Sequence, residues 1–309
     1  MVKENTKNIY ICYSLYHLLI SLVYCSLSDK NDSKLVLTTR IGNAEVFREN
    51  ILKHFPMFEV VVVDDEQFSS QGLFYSERTH AQFKFQIGEG EIHIFNDYTQ
   101  IGHYLHRNKI FYTLMEDGLN CMQHPLRVQK LTLKDRVSNF LTNTPKWDGY
   151  SRYCKKIVVN NLEGIRIDKR HSKFEEKSKK ALLSKLPIEI KQKILEIFNV
   201  KEITIKDRSV LILTQLLTDE FPDETEKSEF WRKVIDKYRL EGFNIYVKVH
   251  PRDTLDYSKF PVTILPQNMP AELLDFAVDK QFSIGVTYYS TAMEFMDCVQ
   301  EKIYLFWDK

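Results

Sequence analysis

The sequence lacks the cysteine and histidine spacing that zinc sites and disulfide frameworks require. Its five cysteines are odd in number and widely spaced, and no C-x-x-C pair is present among the 309 residues. Neither a disulfide framework nor a zinc site is therefore supported by the sequence. This use of cysteine is typical of proteins in a reducing cytoplasm.

An excess of charge and a long apolar run are also missing. Lys and Arg number 43 against 42 acids, a net charge of +1, so nothing predicts a nucleic-acid partner. The longest apolar stretch, 15–27, is interrupted by His17 and Ser21 and is too short to cross a bilayer. It also lacks the charged start and cleavage site of a secretory signal. We expect a cytoplasmic protein.

What the sequence does contain is a repeated alternation of strand and helix patterns. In the first half these patterns fall at residues 9–12, 15–27, 35–38, 44–54, 59–63, 91–95, 99–106 and 109–115. In the second half they fall at 210–213, 227–240, 244–249, 262–265, from about 270, 282–285, after 290 and at 303–306. Such alternation predicts an α/β fold with parallel, helix-covered sheets.

The middle of the chain has a different composition. Between Leu162 and Phe198 there are ten Lys or Arg and six acids, with few aromatic residues. We interpret this stretch as a connector with a solvated basic helix; the alternative is a peripheral face that contacts anionic lipid at the inner side of the membrane. The predicted domains are 1–160, a connector at 161–200, and 201–309. An active site is then expected in a cleft between two halves.

His250 and Pro251 follow the strand pattern 244–249. Proline ends a strand ladder, so His250 is expected at the carboxyl end of the strand, where open α/β sheets bind ligands. With Lys248 and Arg252 on either side, the imidazole suits an anionic ligand, most simply a phosphate. The alternative is an ordinary histidine in a turn.

Glu116 and Asp117 precede a glycine after the strand pattern 109–115. Adjacent acids at a strand end, with a glycine that allows a sharp turn, place at least one carboxylate in the crevice. Such a carboxylate can act as a general base toward a hydroxyl. The alternative is an ordinary turn, since acid–glycine pairs are common there.

Further polar residues occupy strand ends in the second half. Ser290 and Thr291 open a helix pattern, where they can cap the helix or bind phosphate oxygens. Glu272 lies in a first helical turn, where it either complements the helix dipole or accepts bonds from ribose hydroxyls. Gln215 follows the strand 210–213, and Asp219 lies in an acidic loop just beyond it.

In this order, the acid–acid–glycine, His-Pro and Ser-Thr motifs resemble those of bacterial sialyltransferases. The chain is most similar to glycosyltransferase family 52, which includes lipooligosaccharide and capsule sialyltransferases. The opening residues 9–18, Ile-Tyr-Ile-Cys-Tyr-Ser-Leu-Tyr-His-Leu, also look like that family's first strand and helix. The resemblance runs the whole length of the chain, although each motif has only two or three residues.

The resemblance implies a GT-B arrangement of two Rossmann-like domains facing across a cleft. It also implies an inverting reaction that uses CMP-sialic acid without a metal or other cofactor, which fits the absence of a D-x-D motif. His250 would stabilise or protonate the departing CMP, and Ser290 and Thr291 would bind the same phosphate. Glu272 would hold the ribose, with Gln215 and Pro251 lining the nucleotide site.

The resemblance leaves two candidates for the base that activates the acceptor hydroxyl. Asp117, or its neighbour Glu116, matches the acid motif of the first domain, whereas Asp219 lies in the loop that precedes the His-Pro strand. We favour Asp219 slightly, with Asp117 in the acceptor site. The acceptor would be a terminal galactose on lipooligosaccharide, capsule or another oligosaccharide, and the family includes intertwined homodimers.

Two rival functions remain open from the sequence. The first is a GT-B transferase that uses another activated donor, such as a CDP-linked polyol or another nucleotide sugar. The second is a nucleotide- or glycan-binding protein without catalysis.

Overall fold

The structure is a computed structural model that describes residues 7–28, 33–68, 77–117, 148–163, 165, 167–290 and 292–306. The chain divides into two compact units, residues 1–197 and 198–309. Within the described residues each unit contains one parallel sheet, and helices connect most of its successive strands, so the predicted α/β class is confirmed. Among the described helices, none is long and apolar enough to span a membrane.

The described part of the first unit contains a parallel sheet in the order β3-β2-β1-β4-β5-β6-β7. Its strands are β1 (Asn8–Cys12), β2 (Ser33–Thr38), β3 (Glu59–Val63), β4 (Glu91–Ile94), β5 (Tyr112–Met115), β6 (Cys154–Val159) and β7 (Phe174–Glu176). The helices are α1 (Leu15–Leu27), α2 (Ala44–His54), α3 (Glu77–Gln86), α4 (Gln100–Arg107), α5 (Lys179–Ser184) and α6 (Ile188–Ile197). Strands β2 and β3 follow β1 on one side of the sheet, and β5 to β7 follow β4 on the other side. The order of strands reverses between β1 and β4, which is the switch point of the sheet.

The strands of the first sheet could be recognised from the sequence because their residues are buried and therefore apolar. Every residue of β2 and four of the five residues of β1 are buried, as expected for parallel strands covered on both faces. Even Lys34 of β2 is buried, with its ammonium group 2.7 Å from the Glu59 carboxylate of β3. Ser14 caps α1 by accepting the His17 N–H at 3.2 Å, which fixes where β1 passes into the helix.

The segment predicted as a connector, 161–200, supplies structure to the first unit. It contributes β7, which pairs with β6, as well as α5, which packs on α1, and α6, which packs on α2. Arg170 in this stretch is fully buried and donates to the backbone oxygen of Asp148 at 2.7 Å. At least one of its basic side chains therefore holds the interior of the unit together.

The second unit has a parallel sheet in the order β10-β9-β8-β11-β12. Its strands are β8 (Ser209–Leu213), β9 (Asn244–Lys248), β10 (Thr263–Ile264), β11 (Phe282–Thr287) and β12 (Val299–Tyr304). Its helices are α7 (Glu224–Leu240), α8 (Leu274–Ala277) and α9 (Ala292–Phe295). Trp231 and Ile235 of α7 pack on Val247 and Val286 of the sheet, and the switch point lies between β8 and β11.

Candidate functional site

At the switch point of the second sheet, hydrogen bonds join the loops that follow β8 and β11. The Gln215 side-chain oxygen accepts the Tyr289 N–H at 2.8 Å. The Thr287 hydroxyl donates to the Leu213 carbonyl at 3.2 Å and accepts the Ser290 N–H at 3.1 Å. Gln215 and Ser290, predicted from separate motifs, thus lie in loops held at one edge of the sheet, where Rossmann-like folds bind ligands.

His250 follows β9, the strand next to β8 at the same edge. Its backbone N–H donates to the Thr214 hydroxyl at 3.0 Å, which ties it to the loop after β8. Its ring Nδ1 accepts the Arg252 N–H at 3.2 Å. Because Nδ1 acts as an acceptor, the ring proton lies on Nε2. No described residue accepts a hydrogen bond from Nε2.

The surroundings of His250 favour the neutral ring. Burial lowers the pKa of His250 below its usual value, and the charges of Arg252 and Lys248 lower it further, against an opposing effect of Asp253. The Asp253 carboxylate is itself bound by the Lys227 ammonium at 2.8 Å and the Tyr257 hydroxyl at 2.9 Å. His250 is therefore a neutral ring whose Nε2–H lies near the positively charged Lys248 and Arg252.

Lys248 and Glu272 lie close enough to influence each other. Lys248 is only 4% exposed, and burial lowers its pKa to about 8, while the Glu272 carboxylate acts to raise it. Glu272 belongs to the 3₁₀ turn Ala271–Leu273, so the structure brings this predicted ribose ligand near the end of β9. Pro251 follows His250 directly and is exposed.

Asp219 is exposed in the loop between β8 and α7. Burial raises the pKa of Tyr289, and the charges of Glu220 and Asp219 raise it further, which places this acidic loop beside the one that follows β11. No hydrogen bond of the Asp219 side chain is seen within the described residues. Thr291 lies outside the described residues.

At the carboxyl edge of the first sheet, Asp117 follows β5 and meets His17 from the first turn of α1. The His17 Nε2 lies 2.8 Å from Asp117 Oδ1, and the Asn96 amide after β4 donates to Asp117 Oδ2 at 3.3 Å. The Asp117 side chain keeps 35% of its surface exposed, whereas that of His17 keeps 2%. A buried histidine thus supports a carboxylate that reaches solvent.

The tautomer of His17 follows from its second nitrogen. Nδ1 accepts the Tyr13 N–H at 3.1 Å, so the proton lies on Nε2 and is donated to Asp117. The ring stacks on Phe95, with centroids 4.2 Å apart and planes 6° apart, which fixes its orientation.

The pKa of Asp117 reflects two opposing effects. Burial raises the pKa of Asp117, but the electrostatic effect and hydrogen bond of His17, together with Asn96 and Lys179, outweigh burial and hold it below the ordinary value. Asp117 is therefore ionised at neutral pH and has both oxygens oriented by N–H donors.

Glu116 has a different position from its neighbour. It is 3% exposed, its Oε2 accepts the Asn160 N–H at 2.7 Å, and the Lys179 ammonium lies 3.8 Å away. Burial raises the pKa of Glu116, while Lys179 and the Asn160 N–H oppose that effect. Its carboxylate links β5 to β6 and to α5, so Asp117 is the more accessible of the two acids.

Sequence reasoning gave no role to His17 or Asn96. A signal for His17 was present, because Ser14-Leu-Tyr-His17 has the spacing of a capping box, with histidine in place of the usual acid. His17 also interrupts an otherwise apolar helix. Its contact with Asp117 joins residues 100 positions apart, and only the fold brings them together.

Comparison with known proteins gives matches over most of the chain. An uncharacterised protein of Haemophilus influenzae is 30% identical over 190 residues, which cover 60% of this chain and 58% of that protein. The matched part of the chain thus spans less than two thirds of this relative's length.

Two solved structures show the fold. A sialyltransferase from Photobacterium damsela superposes with a TM-score of 0.54 at 15% identity, covering 97% of this chain and 74% of the other. The wall teichoic acid polymerase TagF superposes with a TM-score of 0.51 at 14% identity, covering 99% and 71%. The predicted GT-B class, with one Rossmann-like sheet in each unit, is thereby confirmed.

The sequence itself gives the family. The family model of glycosyltransferase family 52 matches residues 35–307, which include most of β2, all of β3 to β12, and both Asp117 and His250. This chain therefore belongs to glycosyltransferase family 52.

Proposed function

We propose that the chain is an inverting sialyltransferase that moves sialic acid from CMP-sialic acid to a hydroxyl group. The acceptor would be a terminal galactose on a bacterial surface glycan such as lipooligosaccharide or capsule. The observation that carries the proposal is His250 at the edge of the second sheet, with its Nε2–H available beside the Gln215 and Ser290 loops. Membership of family 52 supports the reaction class.

In this proposal the second unit binds the nucleotide. His250 donates its Nε2–H to a phosphate oxygen, and the hydroxyls of Ser290 and Thr291 bind the same phosphate. Glu272 accepts hydrogen bonds from the ribose hydroxyls. Gln215 and Pro251 line the site, and the positive charge around β9 favours the anionic donor.

His250 acts by hydrogen bonding rather than by giving up a proton. The bond between the anomeric carbon and the phosphate oxygen breaks, and its electron pair leaves with CMP. A neutral imidazole can stabilise that developing charge with its Nε2–H. Protonating the leaving group would require an imidazolium, which would lose the Arg252 N–H bond to Nδ1.

For the general base we propose Asp117. As the acceptor oxygen attacks the anomeric carbon, its proton passes to Asp117. This carboxylate is oriented through both oxygens and is partly exposed, and a fixed position is what a base needs. Asp219, for which the described residues provide no hydrogen bond, is the competing candidate, and Glu116 serves to join strands. The proposal assigns no step to a metal, so EDTA should leave the rate unchanged.

A thermal-shift series with CMP, CDP, UDP and GDP tests the nucleotide preference. A ligand at 100 times its Kd stabilises by about 2.7 kcal/mol, so selective stabilisation by the cytidine nucleotides is the expected result. Stabilisation by UDP or GDP alone would contradict the proposal.

A turnover assay separates the rivals. CMP-sialic acid with lactose as acceptor should release CMP and give sialylated lactose. Turnover of CDP-glycerol or a UDP-sugar instead would assign another donor. Binding of CMP without any release from CMP-sialic acid would indicate a binding protein.

We further propose a cytoplasmic location and a homodimer. The described cysteines Cys12, Cys25, Cys154 and Cys298 are all buried and free, which suits a reducing compartment. Cell fractionation tests the location together with any peripheral membrane contact, and light scattering tests the dimer.

A further inference from the structure

The first turn of α1 holds a histidine that the reaction described above does not use. His17 is buried, its Nδ1 accepts the Tyr13 N–H, and its ring lies flat against Phe95. These contacts fix the position of the ring and the nitrogen that carries its proton. The one remaining polar atom, Nε2, lies 2.8 Å from Asp117 Oδ1.

We infer that His17 is a positioning residue of the acceptor site, which orients the Asp117 carboxylate toward the acceptor hydroxyl through its Nε2–H. Asn96 holds the other oxygen more weakly, at 3.3 Å. The inference rests on the proposed function, because it gives Asp117 the acceptor hydroxyl as its partner.

The charges around Asp117 determine the pH dependence that follows. His17 of α1, Asn96 after β4 and Lys179 of α5 all act to lower the Asp117 pKa, and burial acts to raise it. The adjacent Glu116 interacts with Lys179. If His17 no longer donates its hydrogen bond, less opposes the effect of burial, and the Asp117 pKa rises. The rate, which requires the ionised carboxylate, is then lost at a higher pH as the pH falls.

His17→Leu and His17→Gln form the decisive pair. Leucine fills the space without a donor, whereas the glutamine amide can donate from near the Nε2 position. We expect His17→Leu to lower kcat for transfer by about 100-fold, because misplacement of a reacting group by about 1 Å has that effect. The KM for CMP-sialic acid should be unchanged, and the acid limb of the rate profile should move to higher pH. His17→Gln should recover most of the rate.

A matched control is available in the same unit. His93 of β4 stacks on Tyr10 at 4.5 Å, bonds to Asn8 and makes no contact with Asp117 among the described residues. His93→Leu should leave the acid limb in place. If His17→Leu and His93→Leu have the same effect on rate and pH profile, or if the Gln and Leu variants at position 17 are equal, the inference is wrong.

A spectroscopic measurement keeps the inference separate from the proposed function. In the nitrogen-15 spectrum of wild-type histidine side chains, the His17 signal should show protonated Nε2 and unprotonated Nδ1, whichever sugar the enzyme transfers. The opposite tautomer would overturn the inference even in an active sialyltransferase. Failure of the wild type to bind CMP, with the expected tautomer present, would instead overturn the proposed function.

Discussion

At the carboxyl edge of each sheet, a histidine ring accepts a backbone N–H through Nδ1. His17 accepts it from Tyr13 in the first unit, and His250 accepts it from Arg252 in the second. Both rings therefore carry their proton on Nε2. In the first unit that proton is donated to Asp117, whereas in the second no described residue accepts it.

The difference shows how one local arrangement can serve two chemical purposes. The first edge presents a carboxylate, which can receive a proton from a hydroxyl. The second edge presents an N–H in a positively charged environment, which can stabilise an anion. The proposed reaction, attack by a hydroxyl with departure of a nucleotide, would use one group of each kind. The predictions below test this assignment, beginning with the largest effect.

Asp117→Asn should lower kcat for transfer by about 1,000-fold, since a lost general base typically costs about 100- to 10,000-fold. The amide keeps the shape of the carboxylate but cannot take the proton. Steady-state rates with saturating acceptor measure this, and donor binding should be unaffected. Asp219→Asn is the matched variant, with an expected loss of less than about tenfold. A loss of kcat for Asp219→Asn that exceeds the loss for Asp117→Asn would identify Asp219 as the base.

His250→Ala should lower kcat by about 100-fold, the usual effect of removing a donor to a developing oxyanion. His250→Gln, whose amide can donate from a similar position, should lose less. Both variants are compared by CMP release under single-turnover conditions. A change below about threefold for the alanine variant would show that the ring does not contact the leaving group.

The rate of CMP release should fall by no more than about twofold between about pH 7 and pH 8 if His250 acts as a neutral donor, because Lys248, with its pKa of about 8, loses only part of its charge over that range. Burial and nearby cations lower the His250 pKa below its ordinary value of about 6.5, so the ring stays neutral throughout this range. An imidazolium that delivers a proton would give a rate falling about tenfold over that unit of pH. Rapid-quench measurement of released CMP distinguishes the two.

The smallest effects concern the hydroxyls that support each histidine. Ser14 accepts the His17 N–H, and Thr214 accepts the His250 N–H. Ser14→Ala should lower the free energy of unfolding by about 1 kcal/mol, as loss of a helix cap does. Thr214→Val should cost a similar amount, about 1 kcal/mol, by leaving an N–H without its acceptor. Urea unfolding of these variants beside Ser14→Thr and Thr214→Ser measures both, and equal stability within each pair would refute the assignment.

Much of the fold could be predicted because its parallel strands are apolar and its helices are periodic. The bounds of α1, α2 and β3 agree with the predicted ranges 15–27, 44–54 and 59–63. The sequence prediction missed β6, β7 and α3. The strand β6 begins Cys-Lys-Lys, β7 is three residues long with two acids, and α3 is mostly polar, so none shows a clear apolar pattern.

Boundaries were less accurate where charged residues enter a strand. The last strand, predicted at 303–306, is β12 and begins four residues earlier, at Val299. Its first half was missed because Glu301 and Lys302 interrupt the apolar pattern. The site was predictable to the extent that it follows strand ends, as His250 and Asp117 do. The hydrogen bonds that position these residues could not be predicted, because they join residues far apart in sequence, such as His250 and Thr214.

A crystal structure with CMP bound tests the central claim most directly. The account predicts that the phosphate lies at the carboxyl edge of the second sheet, with one oxygen about 2.7–3.2 Å from His250 Nε2. The Arg252 N–H should still bond to Nδ1. A nucleotide bound elsewhere, or a His250 ring turned away from the phosphate, would contradict the account.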